Sequence, residues 1–441
     1  MSEFSNRSVA IIGSGPGGMY VAQALLEKAP GCSVDIIDRL PSPFGLIRGG
    51  VAPDHQNTKR VDKKYAQTIT DNDSVRYVGN IALGRDFSLK DLTDIYDAVV
   101  LAYGAPYDNK LGIPGEDKEN VFGSNAFVGW YNCHPDFIDL HPNLEIKTAA
   151  VIGIGNVAID VARVLSRTPK EMASTDIADY AMKSIDEASL KDIYMFARRG
   201  PIEAACTNTE LKEMGELEAA TTLVRGDVIP DELPVEMDDR TKKVRTRILD
   251  TLRNLSQSHP NQKRRTVHIE FYASPVEIIG DKQVEGIRME HTEVIDGRCV
   301  GTGKFFDIPC ELVITCIGSR AEAIEGIPFD KRNGIVEHSN GRVAPSVYAA
   351  GWVKRGATGT IGTNRLDSYA VSDLLVADFS GLSKPGPKAM DNLCINRNLQ
   401  AITFDDWLVI KGLEEKAAIE PSPRKKFDTV NAMLEGLNSS R

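Results

Sequence analysis

Residues 8–18, Ser-Val-Ala-Ile-Ile-Gly13-Ser-Gly15-Pro-Gly17-Gly18, decide the fold. The apolar run at 8–12 has the length and composition of a buried strand, and it enters a turn that holds four glycines. A helical pattern follows (Tyr20, Val21, Ala24, Leu25), and Cys32-Ser-Val-Asp-Ile-Ile-Asp38 supplies a second strand that ends in an acid. Each part has a physical reason. Gly13 permits the tight turn. Gly15 lets the backbone approach a pyrophosphate at the helix N-terminus, where unpaired N–H groups favour anions. An acid about 20 residues past the turn can accept hydrogen bonds from a ribose. The order strand, glycine turn, helix, strand, acid predicts a dinucleotide-binding unit.

A second copy stands at Thr148-Ala-Ala-Val-Ile-Gly153-Ile154-Gly155-Asn156-Val157-Ala158. Ala158 occupies the place where a third glycine would allow close packing of helix on strand. The next strand, within 191–200, ends in Arg198-Arg199 and not in an acid. A carboxylate there would repel the 2′-phosphate of NADP, whereas two guanidiniums can chelate it. The other reading is a pair of solvated strand-end charges. Residues 166–190 lengthen this copy and are expected to form an inserted helix and loop. Two units imply two dinucleotides, FAD on the first with its acid and NADPH on the second with its arginines. Strand-like runs at 96–104 and 311–320 are expected to lead out of the FAD domain and back into it. The expected fold is therefore α/β, with two Rossmann-like dinucleotide-binding domains and the NADP domain inserted in the FAD domain. The expected boundaries are 1–107 for the first part of the FAD-binding domain, 108–317 for the NADP-binding domain, and 318–441 for the second part. The tail after about residue 380, rich in Pro, Lys and Glu, is expected to wrap the surface.

Composition agrees with a soluble, multidomain globular chain of 441 residues, 42% hydrophobic and 26% charged. There is no run of 18 apolar residues to span a membrane, and the N-terminus shows neither a signal peptide nor an Arg-rich leader, so a cytoplasmic location is expected, or else a chain already processed. The net charge of −10 argues against nucleic acid as a partner. One stretch, 240–265, runs against this balance with nine Lys or Arg and one Asp. It reads either as a docking surface for an acidic protein or as a solvated helix. Seven cysteines lie scattered without C-x-x-C spacing, which predicts buried free thiols, no metal site and no redox disulfide.

Four segments, Pro43 to His55, Gly155 to Arg163, Arg198 to Met214 and Gly351 to Asn364, resemble adrenodoxin reductase and the bacterial ferredoxin–NADP reductases of that type. The likeness spans the chain in the same order. It implies a glutathione reductase-like fold that holds FAD and NADPH. By this resemblance Gly17, Asp38, Leu46, Leu83, Trp352, Gly359, Thr360 and Ile361 contact FAD, beside Gly13 and Gly15 of the turn. Gly153, Ile154, Gly155, Asn156, Arg198, Arg199 and Glu210 contact NADPH. Family members commonly carry Glu where Asp38 stands and Ala where Gly17 stands. Trp352 is expected to pack on the cofactor, or else to be a core aromatic, and the bareness of Gly359 is expected to admit the nicotinamide.

The resemblance further implies a ferredoxin–NADP+ reductase, an enzyme in which a hydride passes from NADPH to FAD and single electrons leave to a ferredoxin-type iron–sulfur protein. His55 and Asp160 are the expected ionisable pair near the flavin, either catalytic or structural. Glu213 is expected as a solvated neighbour of the arginines. The ferredoxin is expected near Arg240, Lys242, Lys243, Arg245 and Arg247, with the reductase a monomer. A flavin- and NADPH-dependent monooxygenase and a flavin-bearing protein without catalysis stay open as alternatives.

Overall fold

Strands Ser8–Ile12, Ser33–Ile37 and Ala98–Leu101 are buried almost throughout, as their apolar runs require of a parallel sheet covered on both faces. The computed structural model describes residues 4–259 and 263–441. Residues 1–3 of the N-terminal segment and 260–262 of the basic stretch lie outside them. The chain divides into two compact units: 1–107, 132–136 and 318–441 form one, and 108–131 with 137–317 form the other.

In the first unit six strands lie in the order 342–344, 347–349, 98–101, 8–12, 33–37, 75–78. All neighbours are parallel except 342–344 with 347–349. Register sets Val9 beside Val34 and Ile11 beside both Ile36 and Val100. The chain leaves Ser8–Ile12 toward one side of the sheet and returns to its other side with Ala98–Leu101. The carboxyl end of the first strand is thus a topological switch point, where open α/β sheets leave a crevice for ligands.

The tail does not wrap the surface. Helices Pro387–Asn396, Phe404–Lys416 and Val430–Ser440 place Met390, Cys394, Phe404, Trp407, Ile410, Met433 and Leu437 in the core of the first unit. The apolar stripe 404, 407, 410 is helical spacing, and it outweighs the polar composition that suggested a wrap. The second of these helices also brings Glu414, whose side chain is wholly buried, to Arg48 through two hydrogen bonds of 2.8 and 2.5 Å. The Phe427 N–H donates to the same carboxylate at 2.9 Å, and the Arg48 guanidinium lies 5.0 Å from the centre of the Trp407 ring. Loss of one partner from a buried pair of this kind costs about 3–5 kcal/mol, so the tail holds the loop that carries Leu46 and Arg48.

In the second unit six parallel strands lie in the order 121–123, 312–315, 148–152, 192–197, 265–271, 220–224. The end of Thr148–Ile152 is again a switch point. The insertion between this strand and Asp192–Ala197 contains helices Pro169–Met172 and Asp179–Glu187. A three-stranded antiparallel sheet, Ala273–Ile279, Gly286–Ile295 and Arg298–Pro309, joins this unit without any expectation from the sequence.

Candidate functional site

Both glycine turns are fixed by sterics at their first glycine. Gly13 has φ +109, and a Cβ there would lie 2.5 Å from the Ala102 carbonyl oxygen. Gly153 has φ +133, and a Cβ would clash with the Cys316 carbonyl. The middle glycines behave differently, since a Cβ at Gly15 or Gly155 would meet no protein atom within 4 Å. Each is the N-cap of a long helix, Pro16–Lys28 or Asn156–Ser166, and neither helix has a side-chain cap. Two helix N-termini therefore present unserved N–H groups beside an open space, the arrangement that takes a pyrophosphate. Ile154, next to the second turn, is buried.

In the first unit, residues far apart in the chain meet at this turn. A Cβ at Gly45 would approach Gly15 Cα at 3.2 Å, and one at Gly17 would lie 3.4 Å from Gly351 Cα. The Ser368 hydroxyl donates to the Gly17 carbonyl at 2.9 Å. Gly18, which the sequence reading passed over, is the position of closest helix–strand approach, because a Cβ there would clash with the Gly13 carbonyl. Asp38 follows the second strand, and one of its oxygens takes hydrogen bonds from the Ser14 N–H at 2.9 Å and the Ser14 hydroxyl at 2.5 Å. Its other oxygen accepts from the Leu40 N–H at 3.1 Å, which leaves little spare acceptor capacity for a ribose. Leu83 is buried and Leu46 is exposed.

The turn after Gly351 is braced from within. Asp367 accepts from the Gly351 N–H and from Lys354, both at 2.6 Å, and Arg355 donates to Asn364 Oδ1 at 2.8 Å. Trp352 opens the one-turn helix Trp352–Arg355, and its buried indole N–H has no hydrogen-bond partner among the described residues. Gly359 has φ +80, and a Cβ would sit 2.6 Å from the Thr363 hydroxyl. The chain itself thus requires glycine at 359, apart from any cofactor. Thr360 is exposed and Ile361 is half-buried.

The second unit has different chemistry beyond its turn. Arg198 is exposed and Arg199 half-buried at the end of Asp192–Ala197, and neither guanidinium has a hydrogen bond or ion pair among the described residues. The Thr207 N–H donates to Asn156 Oδ1 at 2.8 Å, and Thr207 caps the short helix that carries the half-buried Glu210. Glu213 is not the solvated group expected. Arg163 is completely buried and cannot stay uncompensated, so Asp160 at 2.7 Å and Glu213 at 3.1 Å both pair with it. Asp160 therefore has a structural duty inside the second unit, while His55 lies in the first, next to helix Gln56–Lys59.

The basic stretch forms helix Asp239–Ser256, and much of its charge is spent inside its own unit. Lys242 donates to the Val235 carbonyl at 3.0 Å and Arg245 to that of Ala204 at 2.5 Å, while Arg264 pairs with Asp186 at 2.7 Å. Arg265, 1% exposed, donates to the Leu165 and Ile185 carbonyls. Arg240, Lys243 and Arg247 remain exposed. All seven cysteines are free thiols. Burial pushes Cys133 and Cys206 up to about 11 and Cys32 and Cys310 up to about 12, which keeps these four protonated and poor as redox nucleophiles. The open middle glycines, the uncapped helices, the orphaned indole N–H and the unpaired arginines together fit FAD on the first unit and NADP(H) on the second.

Beside the Leu46–Gly49 helix, burial pushes His134 down to about 4, helped by Arg39, Arg48 and Lys426 and opposed by Asp136. Its Nδ1 accepts the Asp136 N–H at 3.2 Å, a bond that protonation would break. The unfolded chain binds this proton near pH 6.5, so stability is full above that value and falls as pH drops toward 4. Denaturation measured over this window should show a slope contribution of about 1.4 kcal/mol per pH unit that His134→Gln removes. An unchanged slope in the variant would contradict the assignment.

The family model for pyridine nucleotide-disulphide oxidoreductases matches residues 7–368. The mitochondrial NADPH:adrenodoxin oxidoreductase of Arabidopsis thaliana is 37% identical, over 97% of this chain and 94% of that protein. The NADPH-ferredoxin reductase FprA of Mycobacterium tuberculosis is 36% identical, over 97% of this chain and 98% of that protein. The structure of Mycobacterium tuberculosis FprA in complex with NADPH superposes with a TM-score of 0.92 at 35% identity, covering 98% of this chain and 99% of that one.

Proposed function

The chain belongs to the pyridine nucleotide-disulphide oxidoreductase family, and from that premise we propose that it is an NADPH–ferredoxin reductase of the adrenodoxin reductase type, which passes electrons from NADPH through FAD to an iron–sulfur protein. The carrying observation is the contrast between two like turns. The first is followed by an acid, Asp38, and the second by two unpaired arginines, Arg198 and Arg199. The bound flavin supplies the conversion of a hydride into single electrons. The chain's own residues bind and orient. Backbone N–H groups after Gly15 and Gly155 would receive the two pyrophosphates, Asp38 would take the flavin-side ribose through the one acceptor site left on its Leu40-bonded oxygen, and Trp352 would offer its indole N–H. Arg198 and Arg199 hold the 2′-phosphate, with Glu210 nearby in sequence to take the ribose or steady an arginine.

Disulfide chemistry, common in the family by name, has no basis in this chain, because its cysteines offer no redox pair. No described helix is long and apolar enough to cross a membrane. Seven free thiols suit a reducing compartment, and we place the protein in the cytoplasm. Ferredoxins are typically acidic, and the exposed cations Arg240, Lys243 and Arg247 are the part of the basic helix that such a partner would meet, with Lys242 and Arg245 partly committed elsewhere.

Stopped-flow reduction with each nicotinamide tests the site. Arg199→Ala should weaken NADPH by about 10- to 150-fold, equivalent to about 1.5–3 kcal/mol, and leave NADH nearly unchanged. Equal losses for both would remove the 2′-phosphate assignment. His55→Gln should slow flavin reduction while NADPH affinity stays the same, and unaltered rates would leave His55 a structural residue. Turnover with a ferredoxin should fall as salt rises from about 50 to 300 mM, and more shallowly after charge reversal at Arg240, Lys243 and Arg247. A flat salt dependence in the parent enzyme would argue for a solvated helix.

A further inference from the structure

The arginine pair has vacant heads but a held backbone. The Arg198 carbonyl accepts from Thr292 Oγ1 at 2.8 Å and from Cys299 Sγ at 2.9 Å. The Arg199 carbonyl accepts from the Tyr272 N–H at 3.3 Å. Gly200 lies so close beneath the Tyr272 hydroxyl that a Cβ there would clash with it. Arg198 is thus held by two strands of the antiparallel sheet, and Arg199 and Gly200 by Tyr272, the residue that leads into that sheet, which the dinucleotide-binding pattern alone does not call for.

The grip is built with some strain. Tyr272 has φ +58, a left-handed conformation that a bulky aromatic rarely adopts, and it joins strand Arg265–Phe271 to strand Ala273–Ile279. Its carbonyl accepts the Thr292 N–H at 2.9 Å. Thr292 is 7% exposed and follows a register shift between Glu290 and Thr292, so the ladder yields locally where this side chain reaches Arg198. Chelation of a phosphate by two long side chains depends on where their stems begin, because both heads must converge on one dianion. Fixing the stems before the ligand arrives lowers the ordering cost of binding.

We propose that Thr292 is a positioning residue for recognition of the 2′-phosphate, acting through the Arg198 carbonyl, with Tyr272 holding Arg199 in the same register. The inference rests on the reading of Arg198 and Arg199 as the phosphate-binding pair. It makes the antiparallel sheet part of the NADPH-against-NADH selection. The Thr292 hydroxyl is spent on the Arg198 carbonyl, so its effect is confined to ligands that carry the phosphate.

The test is calorimetric titration of the full-length flavoprotein, without turnover, with adenosine 2′,5′-bisphosphate and with AMP. The parent protein should prefer the bisphosphate. Thr292→Val keeps the shape and removes the hydroxyl, and it should cut that preference by about 3- to 10-fold while AMP affinity holds. Thr292→Ser, which keeps the hydroxyl, should restore it. If the valine variant does not fold, Thr292→Ala reads the same ratio. An unchanged ratio, or equal losses for both ligands, would overturn the inference while the phosphate assignment stands. A parent protein with no preference would overturn the assignment and the inference with it.

Discussion

Backbone at Gly13 and at Gly153 runs so close to a neighbouring strand that neither position has room for a side chain. A Cβ would press on the Ala102 carbonyl in one unit and the Cys316 carbonyl in the other, and both glycines have positive φ. This tight passage makes each helix begin directly over the end of its strand, at the switch point of its sheet. The helices then start without side-chain caps, and their first N–H groups are left for a ligand. Asp38, Gly45 and Gly351 approach that helix end in the first unit, and Thr207 does so in the second.

The two units diverge in what they set beside it. In the first, Ser14 and Asp38 form a closed polar group, and Ser14 Oγ also accepts the Phe44 N–H at 2.9 Å, so the turn, the acid and the following loop form one unit. The tail adds a second hold on that loop through Glu414 and Arg48. In the second unit Arg198 and Arg199, the proposed phosphate-binding pair, have no side-chain partner among the described residues, while the buried charge of Arg163 is neutralised by Asp160 and Glu213. Keeping Arg198 and Arg199 without carboxylate partners preserves their attraction for a dianion. Their order comes from the backbone, through Thr292 and Tyr272.

What was legible in the sequence was local. Strand, turn, helix and terminal charge lie within short windows, and each has a steric or electrostatic rule, so both units and their opposite charges could be read directly. Contacts between distant residues were not legible. Arg48 and Glu414 are 366 residues apart, Thr292 and Arg198 are 94 apart, and no periodicity marks either pair. The tail was misjudged because its polar composition hid the helical stripe Phe404, Trp407, Ile410. The steric demand for glycine at 359, from its φ and the Thr363 side chain, was likewise not legible, and it stands beside the expected cofactor contact without deciding it. Glu213 looked solvated because nothing in the sequence shows that Arg163 is buried.

The most direct test of the account is an anaerobic titration of the purified protein with NADPH, and separately with NADH, followed by visible absorbance. The account predicts a yellow protein whose flavin bands bleach with near-stoichiometric NADPH and need far more NADH. A colourless protein, or a flavin indifferent to both nucleotides, would contradict it.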